Sequence, residues 1–372
     1  MALTLHGTVS DNTVALDRKT ATPLIINGDM QIAQRGATVT GVTSSGYASL
    51  DRYQMDMASQ GTFTISQSTD VPTGQGFLNS MKLDCTTADA SLGASDRVAF
   101  RQKIEDQNCI AIKKGTANAE TLTVAFWVKS NKTGTYVIEL YDFANARQVS
   151  QSYTIDSANT WEKKVLSYPA DTTGTMDNDN TSGIMVQFWI TGGTTYTGGT
   201  LNTTWNSDTT ANRAAGLTVN IADSTSNEWL MTGLQLEIGT FDANSIPPFQ
   251  FEDRATSLAR CQRYFERIET KGDTSEAISS GVMFTATQFR GCLQFAVFKR
   301  SYPSVTFDSN TTRFLAQSSS ATNNISSFSS GGTNLRSAYV YANTSASHTA
   351  GQGAVLLGRN TGSATIDYDS EL

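Results

Sequence analysis

Short segments in which apolar and polar residues alternate recur along most of this 372-residue chain. The clearest lie at 62–66, 122–128, 136–141 and 183–190, and stretches rich in Gly, Thr and Asn separate them. Successive side chains of a β-strand point to opposite faces of a sheet, so this alternation predicts strands with one buried face. Short strands at regular spacing with turn residues between them are typical of a β-sandwich. We predict such a sandwich for residues 23–252.

Residues 253–270 follow a different pattern. The stretch 253–268 contains good helix formers, and its apolar residues recur at spacings of three, four and three. We therefore predict a linker helix over 253–270. Its apolar stripe either packs on the chain's own sandwich or forms a three-chain contact in a homotrimer. In the second case the candidate oligomer contacts are Leu258, Cys261, Phe265 and Ile268.

Alternation returns at 282–286, 291–297 and 304–307. We predict a second, smaller β-sandwich over residues 271–372, which makes the whole chain all-β apart from the helix. Residues 1–22 hold too few apolar side chains to form a core of their own. We expect this segment to be an attachment arm that binds a larger particle, or to pack on a neighbouring subunit; simple disorder is the other alternative.

Composition narrows the function classes. Charged residues make up 16% of the chain, against roughly 25% in typical soluble proteins. The formal net charge is -7 and no run of Lys and Arg stands out, so we expect no nucleic-acid binding. The N-terminus lacks the pattern of a signal peptide, and no apolar stretch approaches the roughly 18 to 20 residues that span a bilayer. We expect synthesis in a cytoplasm and no membrane insertion.

The four cysteines, Cys85, Cys109, Cys261 and Cys292, show no C-x-x-C spacing. This argues against a zinc ribbon or a redox motif. Cys261 and Cys292 sit among apolar residues, and we expect both to be reduced thiols in the core.

Catalytic chemistry has little support in the sequence. The two histidines, His6 and His348, lie in polar surroundings that favour neither a catalytic triad nor a zinc site. Carboxylates are plentiful, but none belongs to a recognisable acid/base pair for glycoside cleavage. We expect no enzymatic activity.

Sugar binding requires an aromatic face beside a few polar groups. The segment 191–212 is long for a connector and carries aromatic residues among polar ones. The candidate glycan-binding residues are Tyr196, Asn202, Trp205, Asn206 and Asp208. For Trp205, loop packing or a subunit contact is the alternative. Trp127, Phe188 and Trp189 lie within strand patterns, where core packing is the more ordinary role.

Several segments, taken in their order along the chain, resemble the tail-fibre and adhesin-like proteins of tailed phages that carry a carbohydrate-binding-like module. The segments are 25–31 (IINGDMQ), 34–36 (QRG), 51–53 (DRY), 102–105 (QKIE), 125–130 (AFWVKS), 232–239 (TGLQLEIG), 248–249 (PF), 260–265 (RCQRYF), 302–306 (YPSVT) and 366–372 (IDYDSEL). No single motif is specific, but their order is. The resemblance spans about residues 23–372.

This resemblance implies a jelly-roll sandwich in a virion protein, most often a homotrimeric tail fibre that binds a bacterial surface receptor such as a glycan. The arm would then bind other virion proteins. Because only a short arm precedes the module, a head-fibre or capsid-decoration protein that binds mainly other virion proteins is the alternative.

The resemblance also implies a structural calcium ion where the Asn-Gly-Asp strand meets the closing strand. The positions carried over are Asn27, Asp29 and Glu237, which offer the oxygen ligands that calcium prefers. The alternative is that Asn27 and Asp29 cap a turn in which Gly28 supplies a positive φ. No other cofactor is expected.

Overall fold

The computed structural model describes residues 19–372, and the fold divides into two units: the first ends at Ser257 but also includes Leu372, and the second is Leu258–Glu371. Most of the predicted arm, residues 1–18, lies outside the described residues. In the described part of the chain, no helix is long and apolar enough to cross a membrane.

The described part of the first unit contains thirteen strands, all paired antiparallel. They are β1 (Thr38–Val42), β2 (Gly46–Tyr47), β3 (Gln54–Ala58), β4 (Thr62–Ser68), β5 (Ser80–Thr87), β6 (Arg97–Glu105), β7 (Leu122–Ser130), β8 (Gly134–Asp142), β9 (Arg147–Ile155), β10 (Glu162–Tyr168), β11 (Ser182–Gly192), β12 (Asn206–Ser207) and β13 (Glu228–Ile238). A six-stranded sheet has the order β1-β4-β5-β13-β7-β10, and a seven-stranded sheet has the order β12-β9-β8-β11-β6-β3-β2.

The core lies between these two sheets. Phe126 of the six-stranded sheet packs edge-on against Phe188 of the seven-stranded sheet, with ring centroids 5.1 Å apart. Trp229 is stacked with Phe100, at 6.2 Å, and all four side chains are almost fully buried. Each belongs to the apolar half of an alternating strand, as period two requires. The predicted two-layer, all-β arrangement is confirmed.

Helices are few and short in residues 19–372. Two are α-helical, α1 (Thr194–Thr197) and α2 (Arg254–Gln262), and the 3₁₀ turns lie at Asp106–Asn108, Ile110–Ile112, Thr210–Asn212, Ile221–Asp223 and Thr311–Arg313. Asp253 caps α2, because its Oδ1 accepts hydrogen bonds from the backbone N–H groups of Ala255 and Thr256, both 3.0 Å.

The predicted linker helix over 253–270 is too long. Helix α2 ends at Gln262, and the chain continues as strand β14 (Phe265–Glu269). Phe265 pairs with Asp369 and Ile268 with Ile366 in an antiparallel ladder. The spacing of the apolar residues was compatible with a helix. Residues 265–269 form a strand instead, because they pair with residues 365–369.

The second unit contains a three-stranded sheet and a closed barrel. Its strands are β14, β15 (Glu276–Thr285), β16 (Gln288–Gln294), β17 (Ser304–Phe307), β18 (Phe314–Ser318), β19 (Thr322–Thr333), β20 (Ser337–Thr344), β21 (Gly353–Gly358) and β22 (Thr365–Asp369). The sheet has the order β14-β22-β17, and β15-β16-β20-β19-β18-β21 close into the barrel.

The prediction of a second sandwich is therefore wrong in its architecture, although the unit is all-β. Strand β21 pairs with β15 on one side and with β18 on the other, which leaves the barrel without an open edge. Sandwiches and barrels share the same period-two alternation, so the sequence pattern does not distinguish them.

Candidate functional site

The residues predicted to bind a glycan make contacts within the protein. The ring of Tyr196 in α1 lies 5.0 Å from that of Trp189, and its hydroxyl accepts a hydrogen bond from Nη1 of Arg97 at 2.9 Å. Asp208 accepts a hydrogen bond from the Tyr141 hydroxyl at 3.4 Å. Both residues therefore lie over the outer face of the seven-stranded sheet.

Trp205 packs against the sandwich core, and its indole N–H donates to the Pro169 carbonyl at 2.9 Å. The Asn202 side chain accepts from Asn212 at 3.1 Å, and Asn206 donates to the Thr204 carbonyl at 2.9 Å. These contacts suit the loop-packing alternative for Trp205. Glycan binding by the loop stays a prediction.

A buried ion pair joins Arg213, next to this loop, to Glu139 of β8 in the seven-stranded sheet. Nε of Arg213 donates to Oε1 of Glu139 at 2.8 Å, and the Trp189 indole N–H donates to Oε2 at 2.9 Å. Burial raises the pKa of the Glu139 carboxyl, and the charge of Arg213 opposes that rise. The guanidinium also lies over the Tyr141 ring, 5.0 Å from its centroid. Because its partners occupy this carboxyl so fully, we assign Glu139 a structural role.

The predicted calcium ligand Asn27 serves a turn. Its side-chain nitrogen donates to the carbonyls of Ile32 and Asp51, and its Oδ1 accepts from the Ile32 N–H at 2.9 Å. Asn27 itself, with φ of 59°, adopts the left-handed conformation that was expected of Gly28. Gly28 is needed for a different reason, because a Cβ there would lie 2.2 Å from the Leu234 carbonyl oxygen.

Asp29 and Glu237 line the same narrow cavity as Asn27, of about 20 Å³. The Asp29 carboxylate accepts a hydrogen bond from Gln31, and burial raises its pKa. Within residues 19–372, no group of three His, Cys, Asp or Glu side chains could hold a metal ion. The hydrogen bonds of Asn27 suit the turn alternative, and a calcium site formed by Asn27, Asp29 and Glu237 stays a prediction.

The predicted oligomer contacts are largely used inside the chain. Cys261 is fully buried and Phe265 is 2% exposed. Ile268 packs against the core of the second unit, and Leu258 is half-buried. A homotrimer stays a prediction, but the helical stripe proposed for it is not a continuous exposed surface.

A concave site rich in aromatic side chains lies on the outer face of the six-stranded sheet. Three phenyl rings form a triangle: Phe77 and Phe249 are 5.1 Å apart between centroids, Phe77 and Phe251 are 5.1 Å apart, and Phe249 and Phe251 are 4.9 Å apart. With Trp127 of β7 they line a pocket of about 220 Å³, which we call the aromatic pocket. Its remaining lining residues are Gln75, Ala125, Lys163, Gly233, Gln235 and Pro248.

Local backbone geometry explains how these rings meet. Strand β13 has an irregular register between Thr232 and Gln235, and Gly233 within it has φ of +64°. The Phe77 ring lies so close to Gly233 that a Cβ there would be 2.6 Å from Cζ of the ring. Any residue other than glycine would have a strained backbone at this position, and its side chain would clash with the Phe77 ring.

Two polar residues, Gln235 and Lys163, also line the aromatic pocket. The Gln235 side chain is 7% exposed, and its Nε2 donates to the Pro247 carbonyl at 3.0 Å, while its buried Oε1 has no hydrogen-bond partner among the described residues. A buried acceptor without a hydrogen bond is costly. Lys163 pairs with Trp127 across the β10–β7 ladder and lies at the exposed rim. Partial burial lowers the pKa of its ammonium group.

Sequence reasoning placed Trp127 in the core and did not identify this pocket. The sequence did contain a signal for the position of Trp127. Trp127 points to the same face of β7 as the polar Lys129, whereas Phe126 and Val128 point to the opposite face and are buried. The phenylalanines come from two separate loops, and nothing in the sequence shows that these loops meet.

No protein-family model matches the chain, and no curated protein sequence matches it. Its fold is similar to that of several solved structures. The enzymatically active domain of bacteriophage CBA120 tailspike protein 4 matches 58% of this chain at 13% identity, with a TM-score of 0.31, and the match covers 21% of the tailspike chain.

A structure described as CBM4 matches 57% of this chain and 97% of its own, at 9% identity and a TM-score of 0.29. The family 11 carbohydrate-binding module from Clostridium thermocellum, in complex with a mixed-linked tetrasaccharide, matches 56% of this chain and 99% of its own, at 11% identity and a TM-score of 0.26. Similarities at this level concern the fold alone.

Proposed function

We propose that this protein binds glycans, and that the aromatic pocket is its sugar-binding site. The observation that carries the proposal is the enclosure of about 220 Å³ by Trp127 and three phenyl rings. Aromatic faces accept the C–H side of a sugar ring.

The size of the pocket favours a small ligand group. Sites for drug-sized ligands measure roughly 300–1,000 Å³, so 220 Å³ suits one ring rather than a long segment of polymer. The pocket is open at Phe251, which is 48% exposed, and the rest of a chain could continue into solvent. Binding of one terminal or branching sugar would be weak for a single site, and multivalent display would raise the avidity.

The biological role that we propose is host attachment by a non-enzymatic virion protein, a phage tail fibre that binds a bacterial surface glycan as a homotrimer. The order of segments that resemble tail-fibre proteins supports this role. Gold-labelled antibody on intact particles would test it, and labelling of the tail is the expected result.

A head-fibre or decoration protein is the second candidate, and one observation favours it. On the barrel of the second unit, the Arg290 guanidinium lies 3.5 Å from the ring centroid of Phe284 and 4.8 Å from that of Tyr341. Phe284 is 55% exposed and the nearby Tyr339 is 54% exposed. Arginine and aromatic side chains together are typical of protein interfaces. Labelling of the head would support this candidate.

A glycan array with multimerised protein tests the binding function. Phe251→Ala and Trp127→Ala should each weaken the strongest signals, by roughly threefold to tenfold. Leu78→Ala is the matched control, because Leu78 is 74% exposed in the same loop as Phe77 but does not line the pocket. Trp205→Ala tests the alternative loop site. Loss of binding in Trp205→Ala, with Phe251→Ala unchanged, would move the site to the loop.

A further inference from the structure

We infer that the aromatic pocket selects an anionic sugar, a residue that carries a carboxylate such as a hexuronic acid. This inference rests on the proposed glycan-binding function and specifies its ligand class. Two features of the pocket support it: a lysine that no described acidic residue pairs with, and an apolar wall.

Lys163 is the first feature. Its side chain lines the pocket, and no carboxylate among residues 19–372 lies within ion-pair distance of its Nζ. The two neighbouring carboxylates across the adjoining groove are otherwise engaged. Asp156 pairs with Lys164 at 3.4 Å, and Asp242 accepts hydrogen bonds from its own turn. Lys163 thus offers a positive charge that the described part of the protein does not neutralise.

The contrast with other lysines of the same sheet strengthens the argument. Lys129 pairs with Asp70 at 2.6 Å, Lys82 pairs with Glu228 at 2.5 Å, and Lys164 pairs with Glu162 at 2.6 Å. The chain has 34 acidic residues and 27 Lys and Arg residues, so acidic partners are abundant. Lys163, which lies beside the phenyl rings, has no acidic partner among residues 19–372. A bound carboxylate would supply the missing partner and restore the ammonium group's usual stability.

The apolar wall fits the other part of such a sugar. A uronic acid has a ring face of C–H groups for Trp127 and one carboxylate for Lys163. A neutral sugar has no carboxylate for Lys163. Because the protein carries a net charge of -7, an anionic ligand needs a local cation to overcome the general repulsion.

The test compares polyuronates with their carboxyl-reduced forms in affinity electrophoresis of the full chain. The probes are polygalacturonate, polyglucuronate and polymannuronate, each beside the neutral polymer made by reducing its carboxyl groups. At least one polyuronate should retard the protein more than its reduced form does, by about threefold to fivefold in affinity, and salt should weaken the difference.

Three variants locate the effect. Lys163→Met should remove the preference for the acidic form, and Lys163→Arg should keep it. Lys164→Met is the matched control, because Lys164 is the next residue of the same strand but does not line the pocket. It should behave as the wild type does.

The other outcomes separate the two proposals. If acidic and reduced polymers bind equally and Trp127→Ala weakens both, the anionic selectivity is wrong and glycan binding stands. If Lys163→Met keeps the acidic preference, Lys163 is not its source and the inference fails. If the wild type binds no polymer here and no glycan on the array, both proposals fail together.

Discussion

Phe77 lies directly against Gly233, so closely that a Cβ on Gly233 would be 2.6 Å from Cζ of the ring. The contact joins the loop before β5 to the irregular part of β13. It positions the Phe77 ring as one wall of the aromatic pocket, and the rings of Phe249 and Phe251 pack against this wall.

Gly233→Ala should therefore damage both stability and sugar binding. The substitution adds strain at a φ of +64° and displaces Phe77, and we expect a loss of about 2–4 kcal/mol in the free energy of unfolding. Gly41→Ala is the control, because Gly41 has φ of +69° and no described atom within 4 Å of the position that a Cβ would take. It should lose only about 1 kcal/mol and keep full binding. Urea unfolding and the glycan array measure the two effects.

The Glu139–Arg213 pair should matter for stability and not for the pocket. Arg213→Met leaves the buried Glu139 carboxyl without its cation, which should cost about 3 kcal/mol in urea unfolding. The double variant Glu139→Gln/Arg213→Met should recover much of this loss, because no buried charge remains. Equal losses in the single and double variants would show that the charge is not the cause.

Asp56 should contribute stability that acid removes. Burial opposes its ionisation, but the hydrogen bond from Arg97 and the charges of Arg97 and Arg101 prevail and lower the pKa of Asp56. A carboxyl with a lowered folded-state pKa stabilises the fold above its unfolded-state pKa, and this contribution is lost as pH falls through the folded-state value. The gap in unfolding free energy between wild type and Asp56→Asn should be full at pH 6 and shrink below about pH 4. A constant gap from about pH 6 to about pH 2.5 would contradict this account.

Thiol reactivity should distinguish one cysteine from the other three. Cys292 is exposed, whereas Cys85, Cys109 and Cys261 are buried, and burial raises the pKa of Cys109 to about 12. A thiolate is the reactive form, so Ellman's reagent should titrate one thiol in the native protein and four in denaturant. Cys292→Ser should remove the native reaction. Rapid reaction of a second thiol would mean that the core opens readily.

Period-two alternation was sufficient to predict an all-β chain and the sandwich of the first unit. It could not predict the barrel, because closure depends on which strands pair at the edges, as β21 does with β15 and β18. Cys292 was expected in the core, but it lies on the exposed face of β16, with parity opposite to buried Leu293. Some of the apolar residues next to Cys292 in the sequence, such as Leu293, lie on the opposite, buried face of β16.

The site was harder to predict than the fold. Trp205 has the sequence context of a binding residue, yet its indole N–H donates to the Pro169 carbonyl. Phe77, Phe249 and Phe251 come together only because two loops meet over β13, and Gly233 permits the approach. The spacing of residues in the sequence does not show that these two loops lie next to each other.

The most direct test of the central claim is an NMR titration of protein labelled with ¹⁵N at its five tryptophans. The best array ligand is added, and the indole N–H signals are assigned by Trp127→Phe and Trp205→Phe. We predict that the Trp127 signal shifts in a saturable manner while the Trp205 signal does not move. A saturable shift at Trp205, with Trp127 unchanged, would contradict a sugar-binding site in the aromatic pocket.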